Sequence, residues 1–213
     1  VVGRQRVLEE RRPAVGRLDA AAGNPEPVLV SDVSRFAFAP AGPFVAMHRY
    51  LPEGAKRKGA DLLVRNLATG AITAFGNVAE FAWQDRGRLL AFTIDADGKA
   101  GNGVQLFDPQ TGLLRVLDSG EAAFTGLAWR ERGDDLACFR SRTDDAHEED
   151  TQVVLAWRGL GSAAATPVRA TYDQTADTAF PADTRIVTFR RLQWAKDGRA
   201  LYFGVQDWLR KPP

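Results

Sequence analysis

The feature that most constrains this chain is a short unit repeated four times: an aromatic residue, a glycine four positions later, then an apolar run. The copies are Phe36-Ala37-Phe38 with Gly42, Phe81-Ala82-Trp83 with Gly87, Leu127-Ala128-Trp129 with Gly133, and Leu192-Gln193-Trp194 with Gly198. Residues 44–47, 89–92, 136–139 and 200–203 follow as short apolar runs bounded by turn residues, which is how buried strands read. Between the copies lies a second unit, an Asp or Asn followed four positions later by Gly: Asp19 with Gly23, Asn66 with Gly70, Asp108 with Gly112. Asp and Asn side chains bond their own downstream backbone and Gly tolerates positive φ, so each pair marks a tight strand reversal. The flanking strands are 15–19 with 27–30, 62–67 with 71–75, and 104–108 with 113–117.

Two hairpins per repeat make four strands, and the aromatic recurs at 38, 83 and 129, a period of about 45 residues. That is the length of a propeller blade. The units are rich in β-branched and aromatic residues, punctuated by Gly and Pro, and lack a sustained helical period, so helices are excluded. The expected fold is all-β, a partial β-propeller made of four-stranded antiparallel blades. Its parts are an outer half-blade at 1–30, blades at 31–77, 78–122 and 123–172, and an inner half-blade at 190–213. The interval from Trp129 to Trp194 is 65 residues, which places an insertion or linker at 161–189. Because the chain lacks an initial Met and leaves half-blades at both ends, it is expected to belong to a longer polypeptide whose further blades or domains cover the open faces.

With 28 basic and 27 acidic residues the net charge is +1, so no long-range field recruits nucleic acid or an anionic membrane surface. No apolar stretch approaches the roughly 20 residues of a membrane helix, and a soluble chain is expected. Cys138, the single cysteine, lies inside an apolar run and reads as a buried thiol. No Gly-x-Ser-x-Gly elbow occurs, and His48 and His147 have no nucleophile at a recognisable spacing, so no catalytic residue is assigned. The loop 95–103 superficially matches a calcium loop and a phosphate cradle. Leu106 stands where the bidentate Glu belongs, and no Gly-Lys-Ser/Thr follows, so neither a metal nor a cofactor is expected. The densest polar cluster is 140–150. Its Arg140, Arg142, Asp144, Asp145, His147, Glu148, Glu149 and Asp150 are the candidate substrate contacts, because such a loop could grip a cation or a peptide amino terminus. The competing reading is a solvated loop tip.

Residues 172–187 together with 194–208 resemble the N-terminal propeller of large bacterial prolyl oligopeptidase-family serine peptidases, and the aromatic-x-x-x-Gly hairpins also resemble TolB-like propellers. In the peptidase family the catalytic serine, aspartate and histidine sit in a C-terminal α/β-hydrolase domain, which the propeller caps so that only small or unfolded peptides enter. The resemblance therefore implies a non-catalytic gating region of a hydrolase, with a peptide substrate and a hydrolase domain as partners, in a bacterial cytoplasmic, periplasmic or secreted setting. One branch of the family uses paired glutamates in the propeller to bind the substrate amino group. The residues around Glu148-Glu149 do not match that pattern, so the role is not carried over. A TolB- or WD-repeat-like scaffold that binds protein partners is the alternative.

Overall fold

In the computed structural model, residues 15–17, 28–51, 53–55, 58–161 and 166–212 are described. The chain runs β1 (Val15–Arg17), β2 (Val28–Val30), β3 (Val33–Phe38), β4 (Phe44–Arg49), β5 (Ala60–Asn66), β6 (Ile72–Trp83), β7 (Leu90–Ile94), β8 (Gly103–Asp108) and β9 (Leu113–Ser119). It continues with β10 (Phe124–Trp129), β11 (Leu136–Arg142), β12 (Thr151–Arg158), β13 (Val168–Tyr172), β14 (Thr184–Val187), β15 (Gln193–Trp194), β16 (Leu201–Tyr202) and β17 (Gly204–Asp207). All pairings between these strands are antiparallel. The fold is a partial β-propeller. Blade I is β3 to β5 plus the start of β6, blade II is the end of β6 plus β7 to β9, and blade III is β10 to β13. Strand β6 is long enough to leave one blade as its outermost strand and enter the next as its innermost, with Val78 paired to both Ala60 and Ile94.

The two turn types form as their residues dictate. At every aromatic-x-x-x-Gly reversal the amide after the aromatic donates to a carbonyl five residues on: Ala39 to Phe44, Gln84 to Leu89, Arg130 to Asp135, and Ala195 to Ala200, all at 2.8 to 2.9 Å. At the outer reversals Gly70 donates to Asn66 and Gly112 to Asp108, both at 2.8 Å, while Asn66 Oδ1 accepts from the Ala68 amide and Asp108 Oδ1 from the Gln110 amide. The glycines take φ of +79° and +75°. The Asp19 and Gly23 pair lies outside the described residues.

Middle strands read as unbroken apolar runs because both of their faces are buried between blades. In β11, Leu136 and Cys138 face blade II while Ala137 and Phe139 face the last hairpin; in β12, Leu155 and Trp157 face blade II while Val154 and Ala156 face the other way. The core is thus a series of layers: Leu62 and Val64 against Phe81 and Phe92, then Leu106 against Phe124 and Leu155, then Phe139 against Ile186 and Leu192. Outer strands are more exposed. Burial pushes the Cys138 thiol far above its ordinary pKa, with the Asp118 and Glu80 carboxylates adding to the shift. We expect thiol reagents to label native protein roughly a thousandfold or more slowly than unfolded protein. Labelling kinetics in and out of denaturant check this, and comparable rates would contradict the burial.

Two strands lie within the 161–189 stretch expected as an insertion or linker. Val168–Tyr172 is the outer strand of blade III, and Thr184–Val187 already belongs to the last hairpin, pairing with Gly204–Asp207. What lengthens this interval is a crossover with a 3-10 turn at Gln174–Ala176 and an inner strand interrupted between Val187 and Gln193. Buried Gln174 fixes the crossover: its Oε1 accepts from Thr151 Oγ1 at 2.6 Å and from the Ile186 amide at 3.0 Å, and its Nε2 donates to the Thr184 carbonyl at 3.0 Å.

Candidate functional site: the axial groove

The inner strands are joined by one contact used three times. The Trp83 indole N–H donates to the Ala37 carbonyl, Trp129 to Ala82 and Trp194 to Ala128, each at 3.0 Å. Each tryptophan thereby clips its blade to the carbonyl just before the aromatic of the preceding blade. Turns are tied in the opposite sense, the earlier blade donating to the later, with the Ala41 amide on the Gly87 carbonyl and Gln84 Nε2 on the Gly133 carbonyl, both at 3.2 Å.

The inner strands of blades I to III also break register shortly before their aromatic, between Val33 and Arg35, between Val78 and Glu80, and between Thr125 and Ala128, and the last inner strand is interrupted between Val187 and Gln193. Bulges re-aim side chains. The position three before the aromatic is Arg35, Glu80, Gly126 and Arg191, and these four residues line one groove of about 600 Å³ with Thr125 and Thr188. Arg35 lies with its guanidinium carbon 4.1 Å from the Phe81 ring centroid and donates to the Phe81 carbonyl at 2.6 Å. Glu80 reaches the next blade, where its Oε2 accepts from the Gly126 amide at 2.8 Å and the Leu127 amide at 3.4 Å. Gly126 has φ of +72° and lies so close to Phe139 that a Cβ would stand 2.8 Å from the ring. The groove combines arginines, threonine hydroxyls and a fixed carboxylate, a lining suited to orienting a polar or peptidic chain. No single residue type occupies all four positions in the sequence; only their constant offset from the aromatic marks them.

The predicted 140–150 segment lies elsewhere, with Arg140 to Arg142 ending β11 and the rest connecting it to β12, and it is built into the joint with residues 208–211. The Glu148 amide donates to the Leu209 carbonyl at 3.0 Å, the Lys211 amide to Ala146 at 2.9 Å, and the Trp208 indole to the Glu149 carbonyl at 2.6 Å. His147 stacks on Trp208, with ring centroids 3.8 Å apart, and bonds Asp144 through Nδ1 at 2.9 Å. Glu149 pairs with Arg185, Arg142 with Asp173, and Asp150 accepts from Ser141 Oγ at 2.8 Å. Arg140 points the other way, 3.6 Å from Asp118, a carboxylate it shares with Arg169. Asp145 and Glu148 are exposed. Of these residues the structure brings Arg142, Asp144, His147, Glu149 and Asp150, with the Glu148 main chain, into a clasp between blade III and the segment that follows it, while Arg140 stands apart on Asp118. His48 is engaged through Nε2 with the Val78 carbonyl at 2.7 Å. In the 95–103 loop, Asn102 accepts from the Ala96 amide and donates to Asp95, closing the turn on itself.

Several carboxyls titrate below their ordinary range. Partial burial opposes this at Asp108, but hydrogen bonds from Arg88, at 2.8 and 3.0 Å, and from the Gln110 amide outweigh it. Asp144 is lowered by His147 and the Ala146 amide, Asp177 by the Tyr172 hydroxyl. A carboxyl depressed in the folded state contributes stability above its unfolded pKa, about 3.9, and loses it as pH falls through the folded value. At Tyr172 burial, then the bond to Asp177, pushes the phenol up to about 12, so its contribution is complete below about 10 and is lost as pH climbs through the folded value. Urea midpoints measured against pH are expected to stay flat with respect to these groups near neutrality and fall below about pH 4. Asp108→Asn should make the acid limb shallower, and an unchanged limb would discount the Arg88 pair.

No protein-family model matches the chain, and no curated protein does. Among solved structures, a chain of Kuenenia stuttgartiensis hydrazine synthase is similar over 84% of this chain and 51% of its own, with 15% identity and a TM-score of 0.50. What is shared is the fold. The β-propeller domain of the trilobed protease from Pyrococcus furiosus, described as having an open velcro topology, aligns over 86% of this chain and 66% of its own, with 13% identity and a TM-score of 0.42. The chain thus spans about half the length of the first of these and just under two thirds of the second. No helix among the described residues is long and apolar enough to cross a membrane.

Proposed function

We propose that this chain is the non-catalytic propeller region of a prolyl oligopeptidase-like serine peptidase, filtering peptide substrates at the blade axis and resting against a C-terminal α/β-hydrolase domain. The observation that carries the reading is the axial groove. Its polar groups come from the bulged innermost strands of successive blades, so whatever threads the axis meets Arg35, Glu80, Thr125 and Arg191 in turn. The resemblance of 172–187 and 194–208 to the family's propeller supports it further, and Arg191 lies between those two stretches. The two histidines are held in structural bonds to Val78 and Asp144, which fits a region that filters and leaves the chemistry to another domain.

The direct test is the reading frame downstream of Pro213. A Gly-x-Ser-x-Gly elbow followed by an Asp and a His is expected, and their absence sinks the proposal. In such a parent, Arg191→Glu should alter kcat/KM for long peptides more than for dipeptides, since only long substrates occupy the groove. Exposed apolar side chains on the outer strands, such as Leu113, Val116 and Val168, favour a second reading, a scaffold for protein partners. A stable partner recovered with a parent lacking any hydrolase domain would select it.

A further inference from the structure

We infer that the axial groove holds a carboxylate of a peptide at the joint between blade III and the last hairpin, in the space that a side chain fills at the joint before it; this rests on the reading of the groove as a peptide's path. One position followed through the repeat points there. Three residues before the aromatic, the side chain of one inner strand reaches across to the main chain of the next. Arg35 donates to the Phe81 carbonyl at 2.6 Å, and Glu80 accepts from the Gly126 and Leu127 amides at 2.8 and 3.4 Å. Main-chain groups that a bulge removes from the ladder are thus satisfied from the preceding blade.

The next joint breaks the series. Its position is Gly126, which has no side chain to send across, and the amides equivalent to those that Glu80 holds belong to Arg191 and Leu192. The ladder of the last hairpin does not use them either. It stops at Val187 with Gly204 and resumes only at Gln193 with Tyr202. Neither amide donates to any described residue, although Leu192 is only 5% exposed. Two adjacent N–H groups without an acceptor at a buried position call for one from outside the chain. Both sides of this joint, β10 and residues 188–194, lie within the described residues.

The surroundings favour an anion. Among the described residues the lining carries one carboxylate, Glu80, already held by two amides, and two guanidiniums, Arg35 and Arg191. Arg35 is committed to the ring and carbonyl of Phe81. Arg191 makes no ion pair or side-chain hydrogen bond with any described residue, and the hydroxyls of Thr125 and Thr188 are unused in the same sense. Paired N–H groups, a guanidinium and hydroxyls make a donor set that a carboxylate can satisfy, since its two oxygens accept about four bonds. A carboxylate is favoured over other anions because the equivalent amide pair one joint earlier already holds one, that of Glu80. In a peptide the group comes from an acidic side chain or from the C-terminus.

Titration of the 15N-labelled chain with short acetylated alanine-rich peptides tests this: one with a free C-terminal carboxylate, its uncharged C-terminal amide, and the amide with an internal glutamate. At least one acid-bearing peptide should bind about tenfold or more tightly than the uncharged amide. It should also move the Arg191 and Leu192 amide protons downfield while those of Gly126 and Leu127, held by Glu80, stay in place. Which of the two acids does so names the source of the group. Arg191→Gln, at an exposed residue, should keep the circular dichroism spectrum and reduce the preference to less than about threefold. Equal affinity for acidic and uncharged peptides overturns the assignment, as does a preference that Arg191→Gln leaves intact, or tighter binding of inorganic phosphate at the same two amides. The titration reads the chain by itself. A hydrolase domain encoded downstream with no carboxylate preference here removes the carboxylate site alone, and the preference without such a domain removes the peptidase reading alone.

Discussion

Trp83→Ala is expected to lower the unfolding free energy by about 3 to 5 kcal/mol, the range for truncating a large packed aromatic. Trp83 is packed against the layer formed by Leu62, Val64, Phe81 and Phe92, so its loss opens the joint between blades I and II along its inner end. The effect divides into two parts that separate variants can read. Trp83→Phe keeps most of the ring but removes the N–H that reaches the Ala37 carbonyl at 3.0 Å, leaving a partly buried acceptor without that donor. That alone should cost about 1 to 3 kcal/mol. Urea unfolding of both variants, followed by fluorescence of the remaining tryptophans, supplies the numbers. If the alanine variant costs no more than the phenylalanine one, packing contributes little and the joint is held by the hydrogen bond. Tyr202→Ala, at a residue 61% exposed, serves as the control and should fall within about 0.5 kcal/mol of the parent.

The same clip explains why the fold was legible. A residue that must join each blade to the last has to recur at blade spacing, and the glycine four positions on recurs because the hairpin turns there. Middle strands such as 89–94 and 136–139 were legible for a related reason: burial on both faces leaves no polar alternation to confuse with a surface strand. The crossover near Gln174 was not legible. Its buried contacts are made by a polar amide, a Thr hydroxyl and main chain, so the segment has the composition of a loop while being packed like a core. Strand β13 was obscured by its exposure on the rim, and β14 by the interruption that separates it from Trp194. Charge density drew attention to 140–150, where Arg140, Arg142 and Glu149 pair with Asp118, Asp173 and Arg185 while Asp145 and Glu148 stay exposed. The axial positions were hidden by their diversity. An Arg, a Glu, a Gly and an Arg form no motif, and only the bulge or strand interruption preceding each aromatic brings them to a common place.

Gly126 shows how tightly that place is built, and Gly126→Ala is expected to cost about 2 to 4 kcal/mol. Two independent penalties add. A non-glycine residue held at φ of +72° costs on the order of 1 kcal/mol or more. The new Cβ also falls 2.8 Å from Cδ2 of Phe139, a side chain fully buried between blade III and the last hairpin, where overpacking costs about 1 to 3 kcal/mol. Relief by backbone movement would draw the Gly126 and Leu127 amides away from Glu80 Oε2 and release that carboxylate into the groove. The two penalties can be told apart by a double-mutant cycle with Phe139→Leu, which removes the obstructing ring and leaves the dihedral as it is. In that background Gly126→Ala should cost only the conformational part, about 1 to 2 kcal/mol. Equal cost in both backgrounds would mean that the ring yields freely, and that the glycine is required at the axis for its backbone conformation alone.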